Sequence, residues 1–265
     1  MHEFLKFVLF AVLVSASSFR LDSVPPLWWD EGWTLSVARN WTELGHYGRL
    51  LIGQRISGGL EAAPTLTASI ALSFHLFGIG IVQARIVPVM FSLACIGFLY
   101  HIAQRLYNRR IALGTLLVLI VLPTYVELFS AYMGRQLLGE MPAMFFLLAG
   151  YVSVLYFGRC LKLALLMAVV FWAMALSTKL QVLPFWLCSM IVPIWINIRA
   201  RDWRVVLFWT IALLGALLGA HLLPRFWELV LHARADIADP ISGLYLVTAA
   251  VWSISARMFA LIVTV

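Results

Sequence analysis

The sequence predicts an all-α, polytopic membrane protein, because the chain is strongly apolar and long apolar stretches recur along it. Hydrophobic residues make up 63% of the 265 residues, charged residues make up 12%, and the mean hydropathy is +0.96. Many of the apolar stretches approach the ~20 residues that a helix needs to cross a bilayer. This composition is typical of helical membrane proteins and gives no support to nucleic-acid binding.

We predict about eight transmembrane helices within a single membrane domain, residues 1–265. The chain ends inside its last apolar stretch, so we expect either a part of a longer protein or a membrane module that stands alone. The predicted spans are residues 4–19, 83–106, 111–130, 141–157, 162–178, 181–197, 204–223 and 241–265.

A further apolar stretch, Pro64 to Phe77, decides the predicted topology. If it crosses the membrane, three basic turns fall outside, against the rule that cytoplasmic loops collect Lys and Arg. If it lies along the surface, all three fall inside, and its ~14 residues suit an interfacial helix better than a span. We therefore predict that residues 20–82 form one long external loop with interfacial helices. The basic turns are Arg105/Arg109/Arg110, Arg159/Lys162 and Arg199/Arg201/Arg204.

This loop carries two adjacent acids, Asp30 and Glu31, in the segment "PPLWWDEGWTLSVARNW". Two structural explanations are available: Asp30 caps the N-terminus of a helix, and the tryptophans form an interfacial aromatic belt. Neither explains the second acid at a lipid boundary, where carboxylates are costly unless they have partners or a function. Apolar residues at helical spacing predict that the helix lies on the membrane: Trp33, Val37, Trp41 and Leu44.

Other charged residues fall on the same predicted face of the membrane. Arg135 and Glu140 lie in the second external turn, and Lys179 lies in the third. A transferase that acts on a lipid-phosphate donor needs a carboxylate to accept the proton of the acceptor and cations to hold the leaving phosphate. The predicted topology therefore indicates a site of this kind on the external face.

The order of short motifs along the chain resembles a known family. The motifs are a Pro-rich approach to "WDE", a short "AP" helix ending in "FG", then "QARIVPVMFS", a basic turn, "GRQLLGEMPAMFF" and "STK". Over about residues 4–200 they resemble the N-terminal membrane module of polyprenyl-phosphate-dependent glycosyltransferases with the C-type fold. The protein O-mannosyltransferases and the lipid A aminoarabinose transferases belong to that group.

The resemblance implies a role for each acid. Asp30 matches the catalytic base that deprotonates an acceptor hydroxyl, with inversion at the sugar, and Glu31 matches the acid that commonly follows it. Glu140 matches an acid of the second external loop. Two roles are open for Glu31 and Glu140: they orient the acceptor, or they share a divalent cation. No other cofactor is implied.

The resemblance also implies how the donor is held and where the protein acts. Lys179 meets the donor phosphate, and Arg135 and Arg55 are further candidates for that contact. The implied partners are a polyprenyl-phosphate-linked sugar, an acceptor lipid, glycan or protein, and membrane lipids. The implied location is the prokaryotic inner membrane, with the active site on the external side of the cell envelope.

Three departures separate the chain from the family pattern. The family has His or Lys before a Pro pair where this chain has Ala62-Ala63-Pro64, so one expected contact is missing. Glu140 stands where Asp is usual, and the chain stops at Val265 although family members carry further spans.

The alternative function is a transporter or flippase of lipids or small solutes without transferase activity. Intramembrane charges then mark a path through the membrane. The sequence favours this alternative less, because its charged groups cluster at one predicted face and no inverted repeat is visible.

Overall fold

The computed structural model describes residues 2–45, 47–51, 54–56, 63–121, 134–156 and 160–232. The regular secondary structure of these residues is helical apart from one small antiparallel hairpin, which confirms the predicted helical class. The helices are α1 (His2–Ser18), α2 (Trp29–Leu44), α3 (Pro64–Phe77), α4 (Ile81–Leu106), α5 (Arg109–Val121), α6 (Glu140–Tyr156), α7 (Leu161–Thr178), a 3₁₀ turn (Leu180–Val182), α8 (Leu183–Ala200) and α9 (Trp203–His232). The hairpin pairs β1 (Arg49–Leu51) with β2 (Gln54–Ile56).

Four helical segments are long and apolar enough to cross a membrane, which supports a membrane protein. They are Ile81–Leu106, Leu161–Thr178, Leu180–Ala200 and Trp203–Trp227, and they coincide with four of the predicted spans. Helices α1 and α6 are apolar but shorter, at 17 residues each. The predicted span 111–130 is described only as far as Val121, and the predicted span 241–265 lies outside the described residues. The count of eight and the external loop stay predictions.

Contacts along the chain divide it into two compact units. One comprises Met1–Phe10, Cys95–Leu122 and Gly139–Phe226, and is called the span unit here. The other comprises Ala11–Ala94, Pro123–Leu138 and Trp227–Val265, and is called the loop unit. The predicted acids therefore fall into two groups: Asp30 and Glu31 belong to the loop unit, and Glu140 belongs to the span unit.

The loop unit has a small apolar core between α2, α3 and the start of α4. Helix α3 begins with Pro64, whose fixed φ suits a first helical position, and ends before Gly78, whose φ of 84° is unfavourable for other residues. Its 14 residues rise about 21 Å, less than the ~30 Å of a bilayer interior, as expected for a helix that does not span. The core residues are Ala38, Leu66, Ile70, Phe74, Ala84, Val87 and Leu137.

The apolar stripe of α2 faces the protein more than the sequence predicts. Val37 and Trp41 are buried at 0% and 4% exposure, and the Trp41 ring meets the edge of Tyr47 at 5.2 Å between centroids. Leu44, at the end of the stripe, is exposed, and the opposite face carries the exposed Arg39–Glu43 pair. Helix α2 is thus amphipathic as predicted, but much of its apolar face packs within the loop unit.

The span unit is packed closely through small residues. Gly150 on α6 lies directly against the Trp172 indole of α7, whose Nε1 donates to the Leu147 carbonyl at 3.2 Å. Gly219 on α9 approaches α7 so closely that an added Cβ would lie 2.7 Å from the Ala173 Cβ. Close approach through small residues is typical of helices that associate in membranes.

Candidate active site

Asp30 is the second residue of α2, and its side chain is exposed to solvent. Trp28 occupies the N-cap position, so the explanation of Asp30 as the N-cap is wrong. The carboxylate accepts no hydrogen bond and makes no ion pair within the part of the chain that the structure describes.

The tryptophans near the two acids leave Asp30 exposed. Trp28 and Trp29 point outward, with exposures of 63% and 71%. The Trp33 ring lies at a tilt against Trp29, with 5.8 Å between ring centroids, and the Arg49 guanidinium lies 4.0 Å from the Trp33 ring centroid. Asp30 therefore lies on an open, partly aromatic surface and not in an apolar pocket.

Glu31, in contrast, is completely buried and fully bonded. Its Oε2 accepts the backbone N–H of Trp28 at 3.0 Å, and its Oε1 accepts the backbone N–H of Leu137 at 3.0 Å. The Arg85 guanidinium donates through Nη2 to Oε2 at 3.1 Å and to Oε1 at 3.5 Å. Both oxygens are thus occupied, so the geometry fits a structural role for Glu31 better than direct contact with an acceptor.

Arg85 completes this buried connection from the first turns of α4. Its side chain is 0% exposed, and Nη1 donates to the Leu21 carbonyl at 3.1 Å. The pair links the start of α2, the start of α4 and the segment that contains Leu137. Further hydrogen bonds to the carboxylate and from Nη1 offset the cost of burying the two charges, while the Arg85 Nε has no hydrogen-bond partner among the described residues. In the sequence, this contact is indicated by the position of Arg85, a basic residue at the start of an apolar span.

Arg135 is also a structural residue of the loop unit. It is 6% exposed, and its guanidinium donates to the carbonyl of Val24 at 3.3 Å and to the carbonyl of Ala16. The Arg135 side chain therefore stabilises the segment that precedes α2. Such burial favours a structural role for Arg135, and its contact with a donor phosphate stays a prediction.

Glu140 and Lys179 form an ion pair in the span unit. Glu140 is the first residue of α6, Lys179 follows the last residue of α7, and the Lys179 Nζ donates to the Glu140 Oε1. Their side chains are 36% and 28% exposed. The structure thus joins a predicted catalytic acid with the predicted phosphate-binding cation.

Arg55, the third predicted phosphate contact, lies in β2 opposite Leu50. Its side chain lies outside the described part of the structure, so its role stays a prediction. A single external site that contains both Asp30 and Lys179 also stays a prediction, because the two residues belong to different units.

The side chains do not fit the divalent cation that was one option for the acids. Among the described residues, no group of three or more His, Cys, Asp or Glu side chains could hold a metal ion. The oxygens of Glu31 already accept hydrogen bonds from Arg85 and two backbone amides, and Glu140 is paired with a cation. Hard divalent cations prefer several free oxygen ligands. We therefore derive no step through a metal.

Comparisons with protein-family models, with characterised proteins and with solved structures found no match to this chain.

Proposed function

We propose that this protein is a membrane glycosyltransferase that moves a sugar from a polyprenyl-phosphate donor to an acceptor hydroxyl, with inversion at the anomeric carbon. We place the reaction on the external face of a prokaryotic inner membrane. The motif order and the apolar spans support this proposal, and the four candidate membrane-spanning helices are compatible with a lipid-linked donor.

The contrast between the two adjacent acids carries the proposal. Glu31 is buried and accepts hydrogen bonds on both oxygens, whereas Asp30 is exposed and has no described partner. Fixing Glu31 also fixes the first turn of α2, from which Asp30 projects. A carboxylate held on a rigid backbone, with its oxygens free, is what a general base requires.

The proposed reaction is a single displacement. The acceptor oxygen attacks the anomeric carbon while its proton passes to the Asp30 carboxylate. The bond between the anomeric carbon and the phosphate oxygen breaks, and its electron pair leaves with polyprenyl phosphate. Because attack comes from the face opposite the leaving group, the configuration inverts.

Lys179 is proposed to bind the donor phosphate and to stabilise the charge that develops as the phosphate leaves. Its position after the last residue of α7 places the ammonium at the end of a candidate membrane-spanning helix. This position suits the head group of a lipid, whose chain would lie beside the helices.

The experiment is a transfer assay with the chain in nanodiscs and a set of polyprenyl-phosphate-linked sugars. We expect release of polyprenyl phosphate and a new glycosidic bond of inverted configuration, measured by mass spectrometry and NMR. The matched control is the same sugar on a polyprenol without phosphate, which should not react. Transfer with retained configuration, or lipid movement without transfer, would contradict the proposal.

The proposed external site has its own test by labelling with a membrane-impermeant maleimide. In a background where Cys95, Cys160 and Cys188 are replaced by Ser, we expect Ser23→Cys and Leu180→Cys to be labelled from outside intact cells. Arg110→Cys should be labelled only after permeabilisation. Labelling of Arg110→Cys from outside would contradict the topology, since all three positions are exposed in the structure.

A further inference from the structure

The surroundings of Lys179 combine a cation, an acid and exposed apolar side chains. Leu180, the next residue in the chain, is 68% exposed, and Phe185, six residues after Lys179, is 77% exposed. Lys179 lies where the candidate span Leu161–Thr178 ends and the candidate span Leu180–Ala200 begins. A cation beside exposed apolar side chains at the end of a candidate membrane-spanning helix matches the chemistry of an anionic lipid head group.

The Lys179–Glu140 pair has the features of an exchangeable contact. Both side chains are partly exposed, and the interaction is made by one ammonium and one carboxylate oxygen. The second oxygen, Glu140 Oε2, is shielded from solvent and has no hydrogen-bond partner among the described residues. Glu140 is thus only half satisfied by Lys179, and a partly exposed pair of this kind contributes little to stability.

We infer that Glu140 is an internal counter-ion that occupies Lys179 until a lipid phosphate displaces it. The exchange presupposes the polyprenyl-phosphate donor proposed above. Glu140 is then a positioning residue for the cation and does not touch the acceptor. No covalent change accompanies the exchange, because the Lys179 ammonium passes from the carboxylate to a phosphate oxygen and back.

The exchange has a consequence for turnover. The donor is a phosphodiester with one negative charge, whereas the released polyprenyl phosphate is a monoester with about −1.5 to −2 charges at neutral pH. Lys179 therefore holds the product more tightly than the donor. A carboxylate beside Lys179 competes for the ammonium and favours release of the product.

The test measures binding of polyprenyl phosphate to the chain in nanodiscs, with polyprenol as the control for the lipid tail. Glu140→Gln should bind polyprenyl phosphate about two- to fivefold more tightly, because the competing charge is gone. Glu140→Asp, which keeps the charge on a shorter side chain, should fall between Glu140→Gln and the wild type and serves if Glu140→Gln does not fold. Lys179→Gln should bind about tenfold or more weakly.

Glu43→Gln is the matched control, since it removes an acid from the exposed Arg39–Glu43 pair of α2, and it should leave binding unchanged. Equal or weaker binding by both Glu140 variants would overturn the exchange while leaving the phosphate site intact. Unchanged binding by Lys179→Gln, or equal binding of polyprenol and polyprenyl phosphate, would overturn the phosphate site itself.

Discussion

The two ion pairs, Glu31–Arg85 and Glu140–Lys179, use the same kind of acid in opposite ways. Glu31 and Arg85 are both 0% exposed, and two backbone amides complete the bonding of the carboxylate. Glu140 and Lys179 are 36% and 28% exposed, and one carboxylate oxygen has no described partner. The first pair is built as a permanent connection, and the second can release its cation.

This difference in exposure distinguishes an ion pair that stabilises the fold from one that is able to bind a ligand. An ion pair without access to solvent or ligand cannot exchange partners, so the Glu31–Arg85 pair serves the fold of the loop unit. A partly exposed pair costs little to open. The exposure and the bonding of each carboxylate, rather than the presence of the acid, therefore indicate its role.

The largest expected effect comes from breaking the buried pair. Glu31→Gln leaves the Arg85 guanidinium buried without its counter-charge, which should lower the free energy of unfolding by about 3–5 kcal/mol. The measurement is denaturation of the purified protein in detergent. A loss below about 1 kcal/mol would mean that the buried pair contributes no more to the free energy of unfolding than an exposed pair does, which would contradict the difference between the two pairs.

A double substitution sharpens this prediction. Replacing both partners, as in Glu31→Leu with Arg85→Met, removes both buried charges together and should cost less than the sum of the single losses. We expect a coupling of about 2 kcal/mol or more between the two sites in a double-mutant cycle, measured by the same denaturation assay. Additive losses would mean that the two side chains act independently.

The smallest effect is expected at the exposed pair. Glu140→Gln should change the free energy of unfolding by less than about 1 kcal/mol, because the pair is partly exposed and is made by one ammonium and one carboxylate oxygen. Glu43→Gln, in the exposed i,i+4 pair of α2, should cost about 0.3–0.5 kcal/mol and calibrates the measurement. A loss at Glu140 as large as that at Glu31 would show that Glu140 is structural.

Sequence reasoning succeeded where the signal is local. The bounds of α3 follow from Pro64 at its start and Gly78 beyond its end, and four spans follow from hydropathy. These features depend on neighbouring residues, so a single sequence contains them. The amphipathic pattern of α2 was also read correctly as a helix.

The partners of the charged residues could not be read from the sequence. Glu31 meets Arg85 and the Leu137 amide across 54 and 106 residues, and Lys179 meets Glu140 across 39. Such contacts arise from tertiary packing, which a hydropathy pattern does not specify. For the same reason, an apolar stripe predicts burial but not whether lipid or α3 covers it.

The most direct measurement of the central claim is the transfer rate of Asp30→Asn, with its melting temperature determined in parallel. Asn cannot accept the proton of the acceptor, so we predict a loss of roughly 10²–10⁴-fold in rate with almost unchanged stability. Asp22→Asn, at another exposed acid of the loop unit, is the matched control and should transfer normally. Near-normal transfer by Asp30→Asn would contradict the account and leave Asp30 as a solvent-exposed acid in the first turn of α2.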